Sequence, residues 1–219
     1  MGGKAHGGRR IPWEDGIAIA SRIRMVLAGE PGEVSPIDWH ELLTGTTEKL
    51  GDLERFIVCG SFRRKKPSLG DVDVVVLPKP GMEQIVVARM GRLWGMQKNG
   101  KPKHSGLIGD VQVDVSVTTA DQWGANVLFL TGSWEHNVVM RRRAMALGLL
   151  LNEKGLYKVA VDAKGKRVAG EWVAGRTEDE VFDALGMEFV KPEDREVGEP
   201  SEAVQAFVAD VRKKEDAGA

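Results

Sequence analysis

The chain has 219 residues but only one cysteine, one tyrosine and no long apolar run. A lone cysteine, Cys59, cannot close an intramolecular disulfide, so a disulfide-stapled secreted scaffold is excluded. The longest apolar tract, from Met145 to Leu151, falls far short of the ~18 residues a membrane span needs. The opening MGGKAHGGRR is basic and glycine-rich and lacks the apolar stretch of a signal peptide. His6 stands where a myristoylation site would carry Ser or Thr. A cytoplasmic location, of cell or virus-infected host, and no membrane partner are therefore expected. Histidine is also scarce, and His6, His40, His104 and His136 show no metal-ligand spacing. Gly165-Lys166-Arg167 is not a phosphate-binding Walker loop, because the upstream glycine and the Ser/Thr are both missing. No charge of one sign dominates either. The net charge of −1 excludes an overall basic footprint of the kind many nucleic-acid binders show.

What charge there is comes in clumps. Basic clusters stand at Arg9-Arg10, Arg63-Arg64-Lys65-Lys66, Lys98 to Lys103 and Arg141-Arg142-Arg143, while acidic residues are frequent after Glu178. Any one cluster is consistent with solvated surface, but a locally basic cleft on a neutral protein also suits phosphate. The hydrophobic share is that of an ordinary globular chain, enough for one core or two small ones.

Apolar spacing predicts a helix over 13–27, with Pro12 in its first turn, and a second helix over 38–50. Residues 28–36 read as a loop. Strands are predicted at 55–59, 71–77 and, most clearly, at 111–117, where V-Q-V-D-V-S-V alternates apolar and polar side chains. A helix is expected from Met82 to Gly91, then a hairpin from Trp94 through the turn Asn99-Gly100 to a strand around Lys103. From Gln122 the pattern is helical, through Met140 to Leu150. Short strands follow at 157–161 and 168–173, and Thr177 with Glu180 forms a capping box. A tail helix is expected from Ser201. The chain thus divides near residue 120 into a mixed α/β part and a helix-rich part with a small sheet.

Asp71 and Asp73 lie two apart in a strand, so both carboxylates project from one face. Side by side they repel unless a cation lies between them, and hard oxygen ligands suit Mg²⁺. Alone, D-x-D is as easily an exposed acidic pair. Asp114, centred in a later valine-rich strand, is a third carboxylate in need of a partner. Before the pair stands G-S-x(8)-G-D-x-D, starting at Gly60-Ser61, with Gly70 directly before Asp71. The glycines permit close backbone approach, the Ser61 hydroxyl can meet a phosphate, and the intervening basic run can neutralise it.

This order of elements resembles the signature of the nucleotidyltransferase superfamily. Three further stretches resemble the thumb and C-terminal run of the family X DNA polymerases: T-G-S-W-E-H-N (131–137) followed by Arg141-Arg142, L-N-E-K-G-L-Y (151–157), and R-T-E-D-E-V-F-D-A-L-G (176–186) with K-P-E-D-R-E (191–196). The likeness extends over 9–196 and is nearest the bacterial, archaeal and minimal viral forms. It implies an α+β fold. A nucleotidyltransferase palm with a mixed sheet and flanking helices would occupy 9–120. A helical thumb with a small antiparallel sheet would occupy 121–200, between a flexible 1–8 and a tail helix at 201–219.

The resemblance further implies that Asp71, Asp73 and Asp114 are catalytic and hold two Mg²⁺ ions, for which Mn²⁺ can substitute. Gly60, Ser61, Arg64, Gly70 and Arg10 would meet the triphosphate of an incoming dNTP. Phe129, Leu130, Thr131 and Gly132 would pack on its sugar, and Asn137 would touch its base. Trp134 would stack on the base or pack on Arg141. Arg141 would reach the template strand, and Lys101 and Lys103 are taken as DNA contacts. A primer-template or gapped DNA would be the partner of a monomeric enzyme. Departures are visible: the family's Tyr-Phe before Thr-Gly is Phe129-Leu130 here, which reshapes the sugar wall. No lyase or phosphoesterase region is recognised, so no 5′-deoxyribose-phosphate lyase activity is expected. A different nucleotidyltransferase, acting on RNA ends, small molecules or proteins, would share the aspartates but not need the thumb motifs. A non-catalytic nucleic-acid-binding module would be expected to have lost one aspartate.

Overall fold

A computed structural model describes residues 10–30, 38–45, 51–94 and 103–196. The segment 1–8, the tail 201–219 and Lys101 lie outside the described residues, as does the turn Asn99-Gly100. The chain opens with β1 (Ile11–Pro12) and α1 (Trp13–Ala28), which stops where Gly29 takes a left-handed conformation. Pro12 thus precedes the helix rather than sitting in its first turn. Of the second expected helix, α2 (Trp39–Thr44) is capped by the Asp38 carboxylate and closed by left-handed Gly45, and 46–50 lie outside the described residues.

Then come β2 (Leu53–Val58), the one-turn α3 (Gly60–Arg63), β3 (Ser68–Leu69), β4 (Asp71–Pro78) and α4 (Glu83–Trp94). β5 (Lys103–Ile108) and β6 (Val111–Val117) form a hairpin about Gly109-Asp110. This corrects the expected hairpin start at Trp94, which is helical. Its indole instead lies so close to the β5 backbone that a Cβ on Gly106 would come within 2.1 Å of the ring.

β2, β4, β6 and β5 form one mixed sheet in that order, with β4 and β6 parallel and the other pairs antiparallel. Strand alternation divides its side chains between two faces. Phe56, Val58, Val72, Val74, Val76, Val113 and Val115 face a core closed by α1 and α4. Ile57, Cys59, Val75 and Leu77 face the other way, against Trp123 and Val127. Apolar cover on both faces explains the uninterrupted run Val74-Val75-Val76-Leu77. Cys59 is fully buried and burial pushes its thiol up to about 12, so it packs rather than reacts.

The cover on that second face is α5 (Trp123–Thr131), which is mostly apolar and mostly buried. Trp123 and Val127 pack on the sheet, whereas Ala125 and Leu128 belong to a second core. Its first-turn N–H groups of Gly124 and Ala125 donate to the carbonyls of Arg176 and Gly175. A Cβ on Gly124 would lie 2.1 Å from the Thr177 backbone, so only glycine allows that approach.

The second core is completed by α6 (Trp134–Ala146), β7 (Leu149–Asn152), β8 (Gly155–Val161), β9 (Arg167–Ala174) and α7 (Glu178–Ala184). The strands make a three-stranded antiparallel sheet. Leu149 and Leu150 were expected to end a helix, but α6 stops at Ala146 and Gly148 turns left-handed. The leucines then alternate along β7, and the Asn152 carboxamide oxygen accepts from Lys154 N–H at 2.8 Å in the turn to β8. Thr177 caps α7 as expected, accepting from Glu180 N–H at 3.1 Å. The Glu180 carboxylate reaches past Thr177 to accept from Arg176 N–H at 2.9 Å.

Candidate active site

The sheet face that α5 covers at one end carries acid at the other. Asp71 and Asp73 share strand parity with Val75 and Leu77, and Asp114 lies opposite Asp73 in the parallel register of β4 and β6. One carboxylate oxygen from each of Asp71, Asp73 and Asp114 lies within 4.8 Å of the others. Asp114 is only 5% exposed, while Asp71 and Asp73 are half-buried. Two like unit charges at such a distance repel by about 3 kcal/mol at an effective dielectric of about 20. A cluster of hard oxygen donors held together by strand register against that repulsion fits a divalent cation. The three carboxylates that the sequence singled out are thus brought together in space.

Gly60 presses against this cluster. It has a positive φ of 58°, and a Cβ there would sit 2.3 Å from Asp73 Oδ2. The preceding Cys59 N–H donates to the Asp73 carbonyl at 2.7 Å, which ties the α3 turn to β4. Ser61, next in line, has a buried hydroxyl oxygen without a hydrogen-bond partner among the described residues. Gly70 is exposed with open space where a side chain would stand. Arg10 is exposed beside it and donates to the Ser68 hydroxyl at 2.8 Å and the Ser68 carbonyl at 2.6 Å.

The basic run after Ser61 is held by acids from the far end of the chain. Arg64 donates to Glu196 at 2.7 Å and to the Thr131 carbonyl. Lys65 pairs with Glu193 at 3.2 Å and Lys66 with Glu196 at 3.1 Å. Arg63 turns inward. It donates to the Thr131 hydroxyl at 2.8 Å and to Glu178 at 2.7 Å, and Glu178 accepts from fully buried Arg195 at 2.8 Å. Burial alone would raise the Glu178 pKa, but Arg63 and then Arg195 outweigh it and hold the carboxyl below its usual range. The Arg195 backbone is fixed as well, its carbonyl accepting from Ser133 Oγ at 2.9 Å.

Thr131 is thus buried at the end of α5, and Gly132 follows it against the Arg64 guanidinium. Three further expected residues meet around one small cleft. Asn137 Nδ2 donates to the Phe129 carbonyl at 2.7 Å, Arg141 lies over the Phe129 ring at 5.4 Å, and Asn152 is among the other residues that line the cleft. The packing partner found for Arg141 is therefore Phe129. Leu130 packs toward the first sheet, and Trp134 is half-buried at the start of α6. Lys103 starts edge strand β5, opposite Ser116.

Sequence reasoning missed the group formed by Arg63, Glu178 and Arg195. Glu178 reads as a first-turn acid on a solvated helix, and no local pattern marks it as buried. It also missed Ser105, whose hydroxyl donates to Asp114 Oδ1 at 2.5 Å. The only signal was its place in a strand preceding the one that carries Asp114.

Family models described as DNA polymerase beta palm and DNA polymerase beta thumb match residues 34–104 and 126–196. DNA polymerase lambda of Rattus norvegicus is 30% identical over 162 residues, covering 64% of this chain and 28% of the relative. DNA polymerase/3'-5' exonuclease PolX of Bacillus subtilis (strain 168) is 26% identical over 154 residues, covering 68% of this chain and 25% of the relative. The chain thus spans about a quarter of the length of these curated relatives. Among solved structures, the Leishmania infantum polymerase beta ternary P/T complex superposes with a TM-score of 0.62 at 25% identity, over 86% of this chain and 77% of that one. The ternary gap complex of the same polymerase gives a TM-score of 0.64 at 24% identity, over 86% and 71% of the two chains. Two matched spans, one on each side of the carboxylate strand β6, and a shared fold lead to one conclusion: the chain belongs to the family X DNA polymerases.

Proposed function

We propose that this chain is a DNA-directed DNA polymerase that adds dNMPs from dNTPs to the 3′-hydroxyl of a primer, filling short gaps in DNA. The observation that carries this reading is the cluster of Asp71, Asp73 and Asp114 beside the Gly60-Ser61 turn and its basic run. In this reading residues 9–120 act as the palm and 121–200 as the thumb, in a monomeric cytoplasmic enzyme. The three aspartates would hold two Mg²⁺ ions, or Mn²⁺ in their place. Bound there, the cations supply Lewis-acid neutralisation of phosphate charge and ease loss of the primer hydroxyl proton.

The protein's own part is positioning. Ser61 Oγ, buried and lacking a protein partner among the described residues, is satisfied by a phosphate oxygen. Arg64 exchanges Glu196 for the triphosphate, one anion for another, and Arg10 adds a second guanidinium at the Gly70 side. Gly60 lets the backbone turn reach the Asp73 carboxylate without displacing it. Phe129, Leu130 and Gly132 wall the sugar, Asn137 and Trp134 meet the base, and Arg141 reaches the template. Lys101 and Lys103 contact the DNA backbone.

The test is primer extension with Mg²⁺ or Mn²⁺ on a one-nucleotide gap, an open template-primer and a single strand, each with dNTPs and rNTPs, beside Asp71→Ala. Templated extension that disappears in Asp71→Ala supports the reading, and the dNTP/rNTP ratio measures what Phe129-Leu130 does to sugar choice. Extension of the single strand alone would indicate a terminal transferase. No incorporation on any substrate would move the assignment to another nucleotidyltransferase. Gly60→Ala is a finer check, because its methyl group must displace Asp73 and the positive φ adds strain. Its turnover is expected to fall by about 100-fold, as for a misplacement of about 1 Å at a reacting centre. Wild-type turnover in a folded Gly60→Ala protein would contradict that packing.

A further inference from the structure

We propose that Ser105 is a positioning residue for the reaction, orienting Asp114 through its hydroxyl; this rests on the polymerase reading above. Ser105 stands directly opposite Asp114 in the antiparallel register of β5 and β6. Opposed residues share a sheet face, with Cβ atoms about 5 Å apart, which is hydroxyl-to-carboxylate reach. Ser105 Oγ donates to Asp114 Oδ1 at 2.5 Å, and Gln112 Nε2, two residues along the same face, donates to Oδ2 at 3.4 Å. The first is a close hydroxyl-to-carboxylate contact, and the second is long for any amide donor. Ser105 is therefore the tighter of these two holds.

Asp114 has particular need of a protein donor. It is 5% exposed, so most of the water that would solvate its carboxylate is gone. The terminal torsion of an aspartate is broad and nearly two-fold, so packing of the stem alone does not set the carboxylate plane. A donor fixed to the neighbouring strand sets it, and leaves acceptor capacity on the carboxylate for a cation. Strand β5 is the sheet edge, and Ser105 is exposed apart from this bond. A residue so placed contributes little to the core, so its removal tests orientation rather than folding. A threonine keeps the hydroxyl, and its extra methyl has room at the exposed edge.

The experiment compares wild type, Ser105→Ala and Ser105→Thr in single-turnover incorporation on gapped DNA with Mg²⁺, over a range of dNTP. Mn²⁺ binding to the protein–dNTP complex is measured separately by electron paramagnetic resonance, which requires no turnover. Thermal melts confirm that all three are folded. Ser105→Ala is expected to lose about 10- to 100-fold in maximal rate, with little change in apparent dNTP affinity, and to bind Mn²⁺ about tenfold more weakly. Ser105→Thr is expected to recover most of both. A Ser105→Ala protein with wild-type rate and wild-type Mn²⁺ binding would overturn the proposal. So would a loss confined to dNTP affinity, or a Ser105→Thr as impaired as Ser105→Ala. If wild type incorporates nothing, the polymerase reading fails, and the Mn²⁺ titration still decides whether Ser105 orients Asp114.

Discussion

Asp114→Ala is expected to lower the single-turnover rate of incorporation by at least about a thousandfold, several kcal/mol of lost transition-state stabilisation. Nucleotide binding should stay near the wild-type level, because Asp71, Asp73, Ser61 and the basic run after it remain in place. The split follows from geometry. Asp71 and Asp73 stand on β4, to which the Gly60-Ser61 turn is tied by the Cys59 N–H bond to the Asp73 carbonyl, whereas Asp114 comes from β6, between β4 and the edge strand. In the proposed reading it is the carboxylate that serves the primer end. The substitution also removes one of three mutually repelling charges, so the protein should melt at the same temperature or higher. Rapid-quench kinetics with a dNTP titration, beside a thermal melt, checks both statements. Comparable rates for variant and wild type would remove Asp114 from the chemistry, and a collapsed melting temperature would make its role structural.

Glu178→Ala should have the largest effect on stability. It leaves part-buried Arg63 and fully buried Arg195 without the carboxylate that both now meet, at 2.7 and 2.8 Å. Removing one partner of a buried ion pair costs about 3–5 kcal/mol. For a chain of this size that is a fall in melting temperature of about 10 °C. Glu178→Gln keeps the shape and part of the hydrogen bonding, and should fall between. A loss under about 1 kcal/mol would mean that the group is solvated and contributes little.

The same group predicts acid sensitivity. Arg63 and Arg195 hold the folded Glu178 carboxyl below its ordinary value of 4.5, so its contribution is present above that pH and is lost as pH falls through the lower folded value. A second acid-side loss starts earlier. His136 is 5% exposed, neither ring nitrogen has a hydrogen-bond partner among the described residues, and burial followed by nearby Arg195 lowers its pKa from 6.5 to about 4. The unfolded chain takes up that proton first, so stability declines from pH 6.5 towards about 4, by on the order of 3 kcal/mol. Urea melts across this range should show both stages, and His136→Phe should remove only the upper one. A flat profile between these two pH values would contradict a buried neutral imidazole.

Much of this protein is decided by short-range pattern. The spacing of Asp71 and Asp73, the alternation of 111–117 and the Gly60-Ser61 turn are local features. Each acts through strand parity or backbone freedom, and so each is readable from neighbours in the chain. The family likeness rests on the same kind of contiguous motif. Local pattern also accounts for where reading failed. Met140 to Leu150 is apolar enough for a helix, and only the left-handed Gly148 and the pairing of Leu149 and Leu151 with β8 make β7 a strand.

Tertiary structure alone decided which charges are buried and which donor serves which acid. Arg63 and Arg64 are adjacent in the chain and alike as residues. One turns inward to Glu178, 115 positions away, and the other reaches Glu196, 132 positions away. Ser105 became a partner of Asp114 because a two-residue turn and an antiparallel register place them face to face. Hydrophobic periodicity states only which way a side chain points. What it meets there depends on packing between elements distant in sequence, and that is settled by the folded chain.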